Sequence, residues 1–152
     1  MQTLLPLKTA IIGCGNIAGV YDVGAPSNQC MTHAKAYTTN SRCQLVGAYD
    51  PDAKQRLSFS KQWSVKTDFD SLDAMLTATK PQIISVCSPN QTHYPTMKIA
   101  VAAKPLGIIC EKPLSLDLDE SRELVSLCKE NGIALVVNYQ RRWDQALKSL
   151  SE

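Results

Sequence analysis

No stretch of this sequence stays apolar for the roughly 20 residues that a membrane-spanning helix needs, so no membrane partner is predicted. The opening Met1-Gln2-Thr3-Leu4-Leu5-Pro6 lacks the charged and apolar regions of a signal peptide. No basic run accompanies the formal net charge of +2, which leaves no footprint for nucleic acid or an anionic surface. Internal repeats and low-complexity segments are missing too. The six cysteines (Cys14, Cys30, Cys43, Cys87, Cys110, Cys128) form no Cys-x-x-Cys pair and show no ligand-like spacing with the two histidines, His33 and His93. These absences predict a reduced, cytoplasmic protein without a metal site, most of whose cysteines serve as small buried apolar residues. What remains is ordinary: 152 residues, 44% hydrophobic and 20% charged, about one domain with a single core.

Against that background one stretch stands out, Ile11-Ile12-Gly13-Cys14-Gly15-Asn16-Ile17-Ala18-Gly19. Leu7 to Ile12 before it reads as a short buried strand. Gly13 permits a tight strand-to-helix turn, and Gly15 lets backbone amides approach a ligand with no Cβ in the way. The amides of this turn, from Gly13 through Gly15, Asn16 and Ile17, together with a following helix dipole, suit a pyrophosphate. Ala18 stands where the dinucleotide fingerprint has its third glycine, a position that needs only a small side chain. The same Gly-x-Gly pattern also occurs as plain packing.

Farther along, apolar runs and helical patterns alternate. Strands are expected at Gln44 to Tyr49, Val65 to Thr67, Gln82 to Cys87, Leu106 to Cys110 and Ile133 to Val137. Tyr21 to Thr32 interrupts the first helix, which His33 to Thr39 resumes. Further helices are expected from Asp52 to about Gln62, with Pro51 suited to the first turn, and over Ser71 to Thr79 and Thr92 to Ala103. A last one follows Asp117, with Glu120 as a capping-box partner, Gly132 at its end, and Leu118, Ser121, Leu124, Val125 and Cys128 on its buried face. The alternation predicts an α/β fold: a doubly wound, mostly parallel six-stranded sheet with helices on both faces. Ligands of such sheets sit outside the carboxyl ends of the strands.

The unusual polar residues fall at those ends. Asp50 closes the second strand, where a carboxylate can accept hydrogen bonds from an adenosine ribose diol and would repel a 2′-phosphate, so NAD is expected in preference to NADP. The plainer use of Asp50-Pro51 is to cap the next helix. The acid also comes later than the usual spacing of about 20 residues after the glycines, which an insertion over Tyr21 to Thr32 would explain. Glu111-Lys112-Pro113 follows the fifth strand as a rigid corner where a cis bond is plausible. A lysine held in a cleft beside a cationic nicotinamide would have its pKa lowered by like charge and desolvation, and could bind or deprotonate a hydroxyl. Without that context Lys112 is a solvated surface lysine, and His93 a locally hydrogen-bonded histidine.

These residues, in order from about Lys8 to Trp143, resemble the glucose–fructose oxidoreductase/inositol dehydrogenase family of NAD(P)-dependent oxidoreductases. The likeness rests on Gly13 to Ala18, His33 with Ala36-Tyr37, Asp50, Ser88-Pro89-Asn90 with His93, Glu111-Lys112-Pro113-Leu114, and Asn138 to Trp143 with Arg142 inside it. The resemblance implies a Rossmann domain over residues 1–142. It puts Glu111 and Lys112 beside the nicotinamide, Lys112 on the substrate hydroxyl, and Ser88, Pro89, Asn90, His93 and Arg142 at the cofactor. Ala103-Lys104-Pro105-Leu106 departs from the family's usual loop. Members carry a second α/β domain with substrate residues and subunit contacts, so residues 143–152 are expected to begin the helix that links to it. The expectation is the cofactor half of an enzyme acting on a sugar, cyclitol or polyol by hydride transfer, inactive by itself and homo-oligomeric. A catalytically silent dinucleotide sensor or a methyltransferase would share the glycine turn and the acid, although a methyltransferase generally has an acidic residue where Ile12 stands.

Overall fold

The computed structural model describes residues 5–26, 28–65, 69 and 71–143. Strand β1 (Leu7–Ile12) is the spine of the sheet: Ala10 and Ile12 face one core and Ile11 the other, and each is at most 1% exposed. A strand covered on both faces has no polar side, which is why its end is continuously apolar. β2 (Cys43–Tyr49) and β3 (Ile83–Val86) flank β1, β4 (Gly107–Glu111) pairs with β3, and β5 (Ala134–Asn138) pairs with β4. Every pairing is parallel and the order is β2-β1-β3-β4-β5. The chain winds one way to β2, crosses back over β1 and winds the other way, so a crevice opens where the carboxyl ends of β1 and β3 part.

Helices α1 (His33–Thr39) and α2 (Ala53–Gln62) cover one face through Ala34, Tyr37 and Phe59. Helices α3 (Leu72–Thr79), α4 (His93–Ala102) and α5 (Leu118–Glu130) cover the other through Met75, Met97, Ala100, Leu124 and Cys128. The doubly wound parallel sheet with helices on both faces is therefore as the sequence predicts, but five strands rather than six stand among the described residues. Of the third expected strand, Val65 to Thr67, Val65 is buried outside any strand, and Lys66 and Thr67 lie outside the described residues. Phe69 makes a single parallel bridge to Tyr49 at the free edge of β2. The start of a linking helix at 143–152 also lies outside the described residues, except that Trp143 closes a 3-10 turn, Gln140–Trp143.

The helix ends follow local chemistry. Asp52 is the N-cap of α2, accepting from the amides of Lys54 and Gln55, so Pro51 lies one residue before the cap rather than in the first turn. Asp117 caps α5, accepting from the amides of Asp119 and Glu120. The expected capping box is relayed through a serine: the Asp117 amide donates to Ser115 Oγ, whose hydroxyl donates to the Glu120 carboxylate. The buried stripe of α5 is narrower than expected, Leu124, Leu127 and Cys128, while Leu118 is 64% exposed and Val125 52%. This helix rests on α4 and the edge strand β5, so only one row of its side chains meets the core.

The largest departure lies just after the glycine turn. Gly15 to Gly19 forms only one helical turn, with the Gly19 amide on Gly15 O at 3.1 Å, before a 3-10 turn at Val20–Asp22. The chain then leaves and returns. His33 N–H donates to Ile17 O at 3.3 Å, where an uninterrupted helix would present residue 21, and Ala34 N–H donates to Ala18 O at 2.9 Å, where residue 22 would stand. The excursion is thus an insertion of twelve residues that keeps helical register. Removing it in thought brings Asp50 back to about the usual distance from the glycines. Buried Asp22 holds the loop, accepting from Met31 N–H and from the hydroxyl of Thr32, the N-cap of α1. Burial pushes the Asp22 carboxyl up, but these hydrogen bonds outweigh it and hold it below its usual range.

Candidate functional site

The carboxyl ends of β1, β2 and β3 surround a cleft of about 610 Å³, lined by Gly13, Gly15, Asp50, Ser88 and Pro89 among others. Gly13 has φ +91°, and a Cβ there would sit 2.6 Å from the backbone of Cys87 and Ser88, so only glycine lets the β1 turn pass this close to the end of β3. A Cβ on Gly15 would meet nothing within 4 Å. The turn is tied to the β2 end by Gly13 N–H on Tyr49 O at 2.7 Å and Cys14 N–H on Asp50 Oδ2 at 2.8 Å. Asp50 Oδ1 accepts from Asp52 N–H at 2.9 Å, and Arg56 Nη1 donates to Asp50 O at 2.6 Å. Each Asp50 oxygen keeps a lone pair for a further donor. With the Cys14 amide taken by Asp50, the amides next in the turn, Gly15, Asn16 and Ile17, make no protein hydrogen bond among the described residues.

A dinucleotide suits this arrangement. Consecutive uncommitted amides offer hydrogen bonds to a pyrophosphate, and the acid beside them offers acceptors to a ribose diol. The helix-dipole part of the expectation is weakened, because one helical turn rather than a long helix follows the glycines.

The ends of β4 and β5 carry a second group of residues. Glu111 pairs with Asn138 in the ladder, so both strands run one residue farther than their apolar runs suggest. His33 lies across this end. Its Nε2 is 2.8 Å from Glu111 Oε1 and its Nδ1 is 2.9 Å from Ser85 Oγ, which is in turn 2.6 Å from the Tyr37 hydroxyl. Asn138 Nδ2 donates to the same Glu111 oxygen at 2.6 Å. His33, Tyr37, Ser85 and Glu111 are all buried. Burial pushes the Glu111 carboxyl up, but hydrogen bonds from His33 and Asn138 hold it below its usual range. Burial also carries the Tyr37 phenol up to about 12.

The other predicted residues take distinct places. His93 is fully buried behind the cleft, its Nδ1 2.6 Å from Pro113 O and its Nε2 2.9 Å from Ser88 O, so it links the loop after β3 to the corner after β4. That corner contains a cis Lys112–Pro113 bond, with Lys112 exposed. Ile17 lines a different hollow of about 660 Å³, with His33, Ile109, Val136 and Asn138. Asn16, Asn90 and Arg142 are exposed and line neither hollow. A third hollow of about 650 Å³, at the other end of the strands beside Lys80 and Lys104, holds none of the predicted residues. Sequence reasoning passed over Ser85, yet a lone serine inside the run Ile83-Ile84-Ser85-Val86 is itself a signal, because a buried hydroxyl requires a partner.

Comparison with known proteins identifies relatives of the whole chain. The sequence model of a family described as oxidoreductases with an NAD-binding Rossmann fold matches residues 7–139. D-glucoside 3-dehydrogenase of Escherichia coli K12 is 30% identical over 151 residues, covering 99% of this chain and 40% of that protein. Inositol 2-dehydrogenase of Rhizobium meliloti 1021 is 27% identical over 143 residues, covering 92% and 38%. The crystal structure of the WlbA dehydrogenase from Bordetella pertussis, in complex with NADH and UDP-GlcNAcA, superposes with a TM-score of 0.80 at 21% identity, covering 95% of this chain and 40% of that one. The chain thus spans about 40% of the length of these relatives.

Proposed function

The chain belongs to this family of oxidoreductases with an NAD-binding Rossmann fold, and on that premise we propose that it is the cofactor half of a dehydrogenase acting on a sugar, cyclitol or related polyol. The observation that carries the reading is the pairing of Asp50 with the glycine turn. One carboxylate oxygen grips the Cys14 amide, and the next three amides are left for phosphate oxygens. The acid's negative charge favours NAD over a cofactor with a 2′-phosphate. The named relatives are dehydrogenases, which favours turnover over a silent sensor.

The nicotinamide of a bound NAD takes up or returns a hydride. Around it, Gly15, Asn16 and Ile17 would hold the pyrophosphate, and Asp50 the adenosine ribose. Ser88 and Pro89 would line the cleft, with His93 supporting their loop. Lys112 would meet the substrate hydroxyl and exchange its proton. Asn90 and Arg142 complete the proposed cofactor contacts by resemblance alone. The protein would work as a homo-oligomer, and substrate walls would come from residues beyond these, so NADH binding without polyol turnover is expected of the 152 residues alone. The six cysteines, none of them in a disulfide among the described residues, suit a reducing compartment such as the cytoplasm.

Titration of NADH and NADPH by fluorescence tests the reading, on the wild type and on Asp50→Asn. The asparagine removes the charge and keeps one oxygen, enough for the Cys14 amide, while the Asp52 amide loses its acceptor. Wild type should prefer NADH, and the variant should narrow the gap by roughly tenfold or more. Equal affinity of the wild type for both cofactors would sink the proposed selectivity.

A further inference from the structure

His33 is the residue at which the twelve-residue excursion rejoins the helix, and its ring spans the sheet end from Ser85 on β3 to Glu111 on β4. In the neutral ring, the chemistry of its partners settles which nitrogen carries the proton. An ionised Glu111 carboxylate only accepts, so the nitrogen 2.8 Å from it must donate; the other tautomer would set a ring lone pair against that oxygen. Nδ1 then accepts from the Ser85 hydroxyl, and Ser85 Oγ accepts from the Tyr37 hydroxyl. Every polar hydrogen in the chain Tyr37–Ser85–His33–Glu111 has a partner, and the hydrogen bonds run in one direction toward the carboxylate. Glu111 is the point of convergence: it also takes Asn138 Nδ2, with the Lys112 backbone amide as a further donor.

We propose that His33 is a positioning residue, which as its Nε2–H tautomer fixes the Glu111 carboxylate and, through it, the strand end that presents Lys112 to the nicotinamide half of the cofactor. The proposal rests on the reading of the cleft as an NAD site. It gives the excursion a consequence, since Asp22 holds Thr32, and Thr32 caps the helix whose first residue is His33.

Two substitutions separate positioning from packing. The side-chain amide nitrogen of His33→Gln reaches about where Nε2 lies and can still donate to Glu111. That of His33→Asn reaches about where Nδ1 lies and cannot. Binding of NADH is to be compared with binding of ADP-ribose, which lacks the nicotinamide, and the ring tautomer read by long-range proton–nitrogen NMR on the 152-residue chain. The wild type should show the Nε2–H tautomer. His33→Asn should weaken NADH roughly tenfold while leaving ADP-ribose unchanged, and His33→Gln should recover most of the loss. An Nδ1–H ring, an unchanged NADH affinity in His33→Asn, or an equal loss for both ligands would overturn the proposal. Should the wild type fail to bind ADP-ribose, the cofactor reading falls; the tautomer, and the effect of each variant on the Glu111 carboxyl signal, still decide the bond on which the proposal stands.

Discussion

At the scale of single residues, the buried chain from Tyr37 to Glu111 makes demands that no surface contact makes. Removing one hydroxyl from its middle strands two partners. Ser85→Ala leaves His33 Nδ1 without a donor and the Tyr37 hydroxyl without an acceptor in a buried site, at a cost of about 1–3 kcal/mol. Adding Tyr37→Phe removes one of the stranded groups, so the double variant should lose less than the two single losses together. Urea unfolding of the three variants measures both effects; additive losses would mean the hydroxyls are not coupled. Glu111 supplies a pH signature. Its carboxyl is held below its usual range in the folded state, so its stabilisation is present above the unfolded value of about 4.3 and lost as pH falls toward the lower folded one. The melting temperature of the wild type should therefore fall more steeply between about pH 5 and pH 3 than that of Glu111→Gln. Parallel acid limbs would place the strain of acidification elsewhere.

At the scale of elements, what was legible in the sequence follows from what each pattern reports. Apolar runs mark burial, so they located the cores of β1 to β5 well. A backbone ladder needs no apolar side chain, so the polar last residues Glu111 and Asn138 fall outside the apolar runs although they pair inside the sheet. Helical periodicity found α5 but overstated its buried face, because the spacing of Leu118 and Val125 cannot tell how much surface a neighbour offers. The glycine turn and Asp50 were legible as a pair. The link that joins them, Cys14 N–H to Asp50 Oδ2, is backbone chemistry and leaves no mark in a sequence. The His33–Ser85 contact spans 52 residues of chain and depends on the in-register return of the excursion. That return is itself testable. Excising residues 21–32 should join Val20 to His33 in phase and give one continuous helix with Ile17 and Ala18 still bonded. Excising ten or eleven residues instead would rotate α1 by about 100° per residue omitted and drive Ala34 and Tyr37 off the core. Circular dichroism and thermal melts should show a folded, slightly more helical protein for the twelve-residue deletion only. An unfolded product there would mean that the excursion, not the splice, holds α1 in place.

At the scale of the whole molecule, the two faces of the sheet are covered unequally. Helices α3, α4 and α5 close one face from β2 to β5, whereas α1 and α2 lie over the half nearer β1 and β2. Over β4 and β5 that second face presents Ile109, half-buried, and Val136, 46% exposed, with Met31 of the excursion also exposed and lining the same hollow. Tyr139, just past β5, is 56% exposed. A contiguous apolar surface of a few hundred Å² is seldom left in water, and β5 is the outermost strand, whose far edge makes no sheet pairing among the described residues. A second copy of the chain offers the same surface and could cover it face to face. Sedimentation velocity should therefore show the 152-residue chain growing heavier with concentration. Val136→Lys with Tyr139→Ser should keep it monomeric, because a charge at the centre of the patch must be desolvated to bury it. A wild type that stays monomeric at every concentration would leave this face to be covered from within its own chain.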